Sequence, residues 1–259
     1  MRGSRQPFVY RNPGDPFDGL PLEIVGQLGS SAGLSGIHVA YFNQFYIWEG
    51  PNADSAAPGT NGWIVTSVDG GGDTLESLDI LDNAQFGVLR IQTNNADNDN
   101  TQLQLNGSSF RYIVGKRLWC FARFALEDVN DGEFAFGLII ETDTDMINTL
   151  PTDGIFFEKA ETAVDLDFHA RKNAASTEKT SALGTTLTDG GFVTVGFLVD
   201  VLGNVIPCFN GAMLTAKTIF AGDTKIPDDE DLTFAIQIQT GTTAVRYVDL
   251  GWLLLVQER

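Results

Sequence analysis

Residues 117–126 read RLWCFARFAL, and this stretch decides the fold. Its side chains alternate, with Cys120 and Phe124 on one face of an extended chain and Trp119 and Phe121 on the other. A period of two is typical of a β-strand and differs from the 3.6-residue period of a helix. The same alternation recurs in 133–141 and 231–240, where one face is apolar. In 231–240 the opposite face carries Thr233, Gln237 and Gln239. The chain is therefore predicted to build antiparallel sheets.

Outward from this strand, residues 62–259 form short β-branched and aromatic runs separated by Gly, Asp, Asn and Thr. Connectors such as Asn210-Gly211 are typical of hairpin turns. No stretch carries a helical apolar stripe longer than about two turns. We predict an all-β fold, a two-sheet antiparallel β-sandwich of jelly-roll type. The predicted aromatic core of this sandwich is Phe124, Phe134, Phe136, Phe156, Phe197, Phe234 and Trp252. The predicted strands are 62–68, 75–81, 87–93, 102–105, 117–126, 133–141, 154–159, 163–170, 180–183, 192–201, 204–210, 212–215, 231–240 and 245–257.

Residues 1–61 differ from the rest, because turn-forming Pro and Gly residues punctuate them throughout. Such residues disfavour long regular elements. We predict an extended, mostly irregular N-terminal arm over 1–61 and a sandwich domain over 62–259. An aromatic run at 37–48 is apolar enough to form a strand or a short helix. The arm either wraps its own sandwich or lies across a neighbouring molecule.

The formal net charge is −18, from 16 Lys and Arg against 34 Asp and Glu. So acidic a surface repels nucleic-acid phosphates and anionic lipid, so we predict neither as a partner. Arg2, Arg5 and Arg11 precede every acidic residue and form a small basic tip. That tip is either a frayed terminus or a tether for an acidic partner surface. No secretory signal or spanning segment is recognised, so synthesis in a cytoplasm is expected.

The two cysteines, Cys120 and Cys208, lie in apolar runs and are predicted to be buried thiols. A single disulfide between them is the alternative. No Cys and His spacing fits a zinc site, and no cofactor motif is present, so neither is predicted. Hard oxygen ligands at Asp143 and Asp145, or in the tract 94–100, leave calcium binding as an alternative to a solvated acidic loop.

Catalytic patterns are few. The row Glu141-Thr142-Asp143-Thr144-Asp145 spaces three carboxylates at alternate positions, as in some sandwich glycoside hydrolases, yet it reads E-x-D-x-D and runs into a loop. Alternation puts Asp165, Asp167 and His169 on one strand face, which favours a polar outer surface. A G-x-S-x-G match at 29–33 lacks the strand and helix that a nucleophile elbow needs. We predict no catalytic residues and no enzymatic activity.

Several segments carry a resemblance to a known family: LWCFARF at 118–124, FAFGL at 134–138, DGIFF at 153–157, FVTVGFLVD at 192–200 and the hairpin ending in FNG at 209–211. This order resembles the concanavalin-like, laminin-G-type jelly roll found in virion structural proteins of tailed bacteriophages. The resemblance covers about residues 62–259 and consists mainly of core aromatics and Gly turns. The sugar- and calcium-binding residues of lectins with this fold have no matching motif here.

The resemblance implies a virion structural protein, specifically a capsid decoration or cement protein on the outer head surface. It would contact the major capsid protein or other virion proteins and form a dimer or trimer. A carbohydrate-binding, lectin-like module or a weak glycosidase is the alternative function. The partner contacts are predicted in the arm, since interfaces favour aromatic and Arg anchors. These residues are Arg2, Arg5, Phe8, Tyr10, Arg11, Phe17, Tyr41, Phe45, Tyr46 and Trp48.

Overall fold

The computed structural model describes residues 37–43, 62–68, 77–80, 87–174 and 179–258. These residues form fifteen strands and one turn of 3-10 helix at Thr215–Lys217. No helix in these ranges is long and apolar enough to cross a membrane. The strands are β1 (Ile37–Asn43), β2 (Trp63–Val68), β3 (Ser77–Ile80), β4 (Leu89–Gln92), β5 (Asn100–Leu105), β6 (Leu118–Leu126), β7 (Gly132–Ile139), β8 (Gly154–Lys159), β9 (Asp167–Arg171), β10 (Lys179–Ala182), β11 (Val193–Val199), β12 (Val205–Phe209), β13 (Ala212–Met213), β14 (Thr233–Thr240) and β15 (Tyr247–Glu258).

The strands form two antiparallel sheets. Sheet A has the order β13-β12-β11-β6-β15-β4-β3, and β1 pairs with the C-terminal half of β15. Sheet B has the order β10-β9-β8-β7-β14-β5-β2. The all-β, two-sheet antiparallel sandwich predicted from the alternation is thus confirmed. The predicted Asn-Gly hairpin is also confirmed, because Asn210 and Gly211 both adopt positive φ angles, 45° and 83°, between β12 and β13.

The main core lies between the two sheets. From β6, Phe124 packs against Phe134 with ring centroids 4.6 Å apart, and Phe136 stacks on Phe157 at 4.9 Å. Aromatic pairs of this kind contribute beyond the area that they bury. The aromatic members of the core are Trp63, Phe110, Tyr112, Phe124, Phe134, Phe136, Phe157, Phe168, Phe197 and Phe234.

The outer face of sheet A carries a second buried apolar cluster. Trp119 and Phe121 belong to it, as the alternation in β6 predicts. Trp252 also belongs to it, so its expected place in the main core was wrong. A bulge between Leu250 and Trp252 leaves Gly251 unpaired and turns the indole to the outer face. The cluster consists of Trp119, Phe121, Leu198, Cys208, Trp252, Leu254 and Val256.

Neither cysteine forms a disulfide and both are buried, which confirms the predicted buried thiols. Burial in an apolar setting raises the pKa of the Cys120 thiol well above its ordinary range. Cys120 points into the main core, whereas Cys208 lies in the outer cluster of sheet A. The two thiols therefore pack as small hydrophobic groups on opposite sides of the same sheet.

β1 lies within the predicted arm and adds a strand to sheet A. Tyr41 in this strand pairs with Leu255 through its backbone. The run at 37–48 therefore contributes a strand, one of its two predicted forms, over Ile37–Asn43. The other predicted contact residues lie outside the described residues: Arg2, Arg5, Phe8, Tyr10, Arg11, Phe17, Phe45, Tyr46 and Trp48. The domain boundary at residue 62 and the partner-binding role of the arm stay predictions.

Candidate functional site

The outer face of sheet B is the polar face of the sandwich. In β14 the core residues Phe234, Ile236 and Ile238 alternate with Gln237 and Gln239, which point outward. In β5, β7, β8 and β9 the same alternation sends amides and carboxylates to this face. The outward residues are Asn100, Gln102, Gln104, Glu133, Glu158, Asp167 and His169.

The loop at 140–153, between β7 and β8, folds back across this face. Met146 is buried against Ala135, Phe156 and Ala235. The Met146 backbone N–H donates to Gln237 Oε1, and Gln237 Nε2 donates to Asp145 Oδ1 at 3.1 Å. The loop thus bonds both the oxygen and the nitrogen of the Gln237 amide and covers the middle of the face.

Phe156 belongs to this small outer cluster, so its predicted place in the main core was also wrong. Its neighbours in β8, Ile155 and Phe157, point inward, and a strand sends successive side chains to opposite faces. Phe156 is buried nevertheless, because the loop at 140–153 lies over it.

The acidic row Glu141-x-Asp143-x-Asp145 lies entirely in this loop, after β7 has ended at Ile139. Its carboxylates cap turns. Asp143 Oδ2 accepts from the Thr152 backbone N–H at 2.8 Å, and Glu141 Oε1 accepts from Gly107 N–H at 2.7 Å. Asp145 Oδ1 accepts from the N–H groups of the two residues that follow Met146. The three side chains hold the loop in place, and they do not form a strand-borne pair.

A polar strip remains at the edge of the loop. Glu133 Oε2 accepts from Gln239 Nε2 at 2.9 Å, and Gln239 Oε1 accepts from Asn148 Nδ2 at 2.7 Å. Gln239 is buried, Glu133 is half-buried and Asn148 is exposed. Burial, together with the nearby charges of Glu161 and Glu158, raises the pKa of Glu133 above its ordinary value. Asn148 and Glu133 therefore present an amide and a carboxyl group to solvent, and the buried Gln239 amide holds both in fixed positions.

The strip continues across β8 and β9. His169 stacks on Phe156 with ring centroids 4.9 Å apart, and His169 Nε2 lies 3.2 Å from Glu158 Oε2. The expectation that Asp165, Asp167 and His169 share a strand face was wrong for Asp165. β9 begins at Asp167, and Asp165 lies in the preceding loop, where its Oδ1 accepts from Thr185 N–H at 2.7 Å. We call Asn148, Gln239, Glu133, Glu158 and His169 the polar strip.

A buried amine lies beside this strip. Lys159 is fully buried and donates through Nζ to the backbone carbonyls of Gly132, Ala160 and Glu161. Burial lowers the pKa of Lys159 to about 8. The amine joins the start of β7, which carries Glu133, to the turn that follows β8. It therefore fixes the backbone on both sides of the strip.

The arrangement suits hydrogen bonding to a polar ligand. β7, β8 and β9 each contribute one carboxylate to the outer face: Glu133, Glu158 and Asp167. Within the described ranges, no group of three or more His, Cys, Asp or Glu side chains is arranged to hold a metal ion. Amide groups, which donate and accept hydrogen bonds, and carboxylates, which accept them, match the hydroxyl groups of a sugar.

The alternation in the sequence predicts that Gln237 and Gln239 lie on the solvent-facing side of β14, and the structure confirms that they point away from the core. It gave no reason to single out Glu133, Asn148 or Glu158. Glu133 directly precedes Phe134, whose apolar side chain predicts that Glu133 points to the outer face. This pattern does not predict which side chains of other elements lie beside Glu133. Asn148 lies on the loop at 140–153, and no periodic pattern in the sequence predicts that this loop folds across the sheet.

No protein-family model matches the chain, and no curated protein sequence matches it significantly. Solved structures do. An endo-1,3-beta-glucanase from Streptomyces sioyaensis is 13% identical, with a TM-score of 0.58 over 86% of this chain and 97% of that one. A protein of unknown function from Shewanella oneidensis MR-1 is 13% identical, with a TM-score of 0.57 over 91% and 92%. The carbohydrate recognition domain of Emp47p is 12% identical, with a TM-score of 0.53 over 88% and 98%. These likenesses confirm the concanavalin-like jelly-roll fold.

Proposed function

We propose that the chain is a non-enzymatic carbohydrate-binding module that holds a glycan on the polar strip of sheet B. One observation carries the proposal. The Glu133–Gln239–Asn148 chain of hydrogen bonds fixes amide and carboxyl groups at the solvent edge of an otherwise covered sheet face. Fixed groups of this kind lose little conformational entropy when a ligand binds.

The solved structures of the same fold support this proposal, since a glucanase and a carbohydrate recognition domain are among them. They suggest a β-linked glucan as the first ligand to test. A shared fold alone does not give the function, so the experiment must change residues of the polar strip.

We propose binding without catalysis because the acidic row of the loop does not form a strand-borne pair of carboxylates. A retaining glycosidase needs two carboxyl groups about 5–5.5 Å apart across the scissile bond. Here the acidic row at Glu141–Asp145 is engaged in capping the loop. The proposal therefore assigns Glu133 and Glu158 to ligand recognition.

The test is titration calorimetry with soluble β-1,3-glucan oligosaccharides, after a glycan array has identified other ligands. Asn148→Ala should weaken binding about tenfold, the effect of losing about one ligand hydrogen bond. Asn106→Ala is the matched control, because Asn106 is also exposed but lies at the end of β5, off the strip. An array on which no glycan binds, or an equal loss of affinity in Asn148→Ala and Asn106→Ala, would contradict the proposal. If the wild type releases reducing sugar from the glucan and Glu133→Gln does not, the function is hydrolysis and not binding alone.

The capsid-decoration role inferred from the resemblance to phage proteins stays a prediction, together with its outer-head location and its virion partners. Nine of its ten contact residues lie outside the described residues, and β1, which holds Tyr41, pairs with β15 of the same chain. Co-sedimentation of the chain with phage heads is the measurement that tests it. A carbohydrate-binding module displayed on such a particle is compatible with both predictions.

A further inference from the structure

The other end of the sandwich carries an exposed apolar surface. Eight large hydrophobic side chains are exposed within the described ranges, and five of them lie on three loops at this end. Val114 is 62% exposed, Leu202 is 68% exposed and Phe220 is 69% exposed. Soluble proteins rarely keep large apolar side chains together in water unless the surface has a binding role. The five residues, called the end patch below, are Ile113, Val114, Val201, Leu202 and Phe220.

The three loops are in contact with one another. Gly115 N–H donates to the Val201 carbonyl at 3.1 Å, which joins the loop before β6 to the β11–β12 turn. Ala221 N–H donates to Asn204 Oδ1 at 3.1 Å, which joins that turn to the segment after β13. A Cβ atom at Gly203 would lie 3.2 Å from Val114 and 3.3 Å from Ala221. The end patch is therefore one continuous surface.

The apolar side chains are held outward by ordered turns. Asp200 Oδ1 accepts from the N–H groups of Leu202 and Asn204 at 2.8 and 2.9 Å. Tyr112 donates its hydroxyl to the Gly203 carbonyl at 2.8 Å and anchors the turn to the core. Leu202 thus lies at the tip of a turn whose polar groups are satisfied. Such preorganised surfaces bind with a smaller entropic cost than loops that must first order.

The charges around the end patch are divided. The segments 110–118, 200–205 and 215–226 hold five Lys and Arg but only two Asp, in a chain of net charge −18. Lys217 follows β13 and so lies towards sheet A. The exposed acidic run Asp228–Asp231 lies towards sheet B, because Asp228 and Asp229 pair with Lys172, which follows β9. Apart from Arg111, which pairs with Asp231 at 3.4 Å, the cations and the acidic run therefore flank the apolar centre on different sides.

We propose that the end patch binds a second copy of this chain in a two-fold symmetric dimer. In an isologous contact the same patch of both copies meets across a two-fold axis. When that axis passes between the two flanks, the basic flank of one copy faces the acidic flank of the other. Both flanks are satisfied at once, and the apolar centre is removed from water. No ion pair is found for Lys116, Lys217 or Lys225 among the described side chains, so these amines are available to a partner.

The test is sedimentation velocity of the full chain at several loading concentrations. The wild type should form a concentration-dependent dimer. Leu202→Asp and Phe220→Asp should each weaken it at least about tenfold, because a charge would be buried at the centre of the contact. Val245→Asp is the matched control, since Val245 is exposed on a loop outside the end patch and should leave the dimer intact. Circular dichroism shows whether each variant is folded.

A cysteine variant tests the symmetry. Both native thiols are buried, so Leu202→Cys adds one accessible thiol per copy. Mild oxidation should link Leu202→Cys into covalent dimers and leave Val245→Cys monomeric. A wild type that is monomeric at every concentration overturns the proposal, and so does a dimer unaffected by both Asp variants. Leu202-dependent binding of a monomer to vesicles of phosphatidylcholine and phosphatidylserine would instead make the patch a lipid-binding surface and equally overturn it.

Discussion

At Lys159 a single buried amine holds together two turns of sheet B. Its three carbonyl acceptors replace part of the hydration that the ammonium group loses. The lowered pKa of Lys159, about 8, shows that burial outweighs the attraction of the surrounding carboxylates Glu133, Asp128 and Glu161. A charge this deep is costly unless its hydrogen bonds are satisfied.

The lowered pKa of Lys159 predicts a pH dependence of stability. Below pH 8 the amine is protonated in both the folded and the unfolded chain. Between about pH 8 and 10 the folded chain releases the proton first, so the unfolded chain binds more protons and the free energy of unfolding rises with pH. A single group contributes at most about 1.4 kcal/mol per pH unit to this rise.

Urea denaturation of wild type and Lys159→Met at several pH values in this window measures that contribution. The wild type should gain stability relative to Lys159→Met as pH rises. Lys217→Met, which removes a lysine from the surface, is the control and should follow the wild type. Parallel pH profiles for wild type and Lys159→Met would contradict the prediction.

For two residues the sequence predicts burial correctly but not the face of the sheet to which the side chain points. Trp252 and Phe156 are large, apolar and buried, as predicted, yet neither lies in the main core. An unpaired Gly251 reverses the alternation in β15. An isolated glycine within a strand suggests a bulge but does not fix its position or direction. Phe156 has an aromatic neighbour, Phe157, that fits the core equally well, so composition alone could not choose between them.

At the scale of elements, the strands were the predictable part of the structure. Each of the fourteen predicted segments overlaps a strand, because the period of two and the turn residues are local signals. The loop at 140–153 was not predictable, since its course depends on Asp143 and Asp145 capping turns and on Met146 finding an apolar patch across the sheet. The polar strip depends on that loop, so it escaped prediction as well.

Met146 is the apolar anchor of this loop, and Met146→Ala should release it. Truncating a buried Met to Ala costs about 2–5 kcal/mol where the site cannot collapse, and this surface site should lie near the lower value. Amide hydrogen exchange should accelerate for residues 146–148, whose N–H groups bond to Gln237 and Asp145. Thr144→Ala, an exposed change in the same loop, is the control. Unchanged exchange in Met146→Ala would show that the polar contacts alone hold the loop.

At the scale of the whole molecule, a net charge of −18 strains the folded state. Like charges are closer together in the folded chain than in the unfolded chain, so self-repulsion opposes compaction. The positive side chains that are paired, such as Arg90 with Asp249 at 2.8 Å, offset only part of this. Repulsion of this type is screened by salt, because the Debye length is about 10 Å at 0.1 M.

The melting temperature should therefore rise with sodium chloride between low salt and about 0.5 M, where screening is nearly complete. Differential scanning calorimetry measures this shift. Choline chloride should give the same rise, as expected for screening by any monovalent salt. A constant or falling melting temperature would contradict the prediction. A much larger rise with millimolar calcium would point to specific ion binding by the acidic loops.

The position of β15 has a consequence for how the chain is made. This strand lies between β6 on one side and both β4 and β1 on the other, so sheet A cannot close without it. At about 5–20 residues per second, a ribosome needs roughly 10–40 s to synthesise the ~200 residues between β1 and β15. Until then the edges that β15 will fill remain open to strands of other nascent chains. Translation speed and growth temperature should therefore govern the soluble yield more strongly than the stability of the finished sandwich.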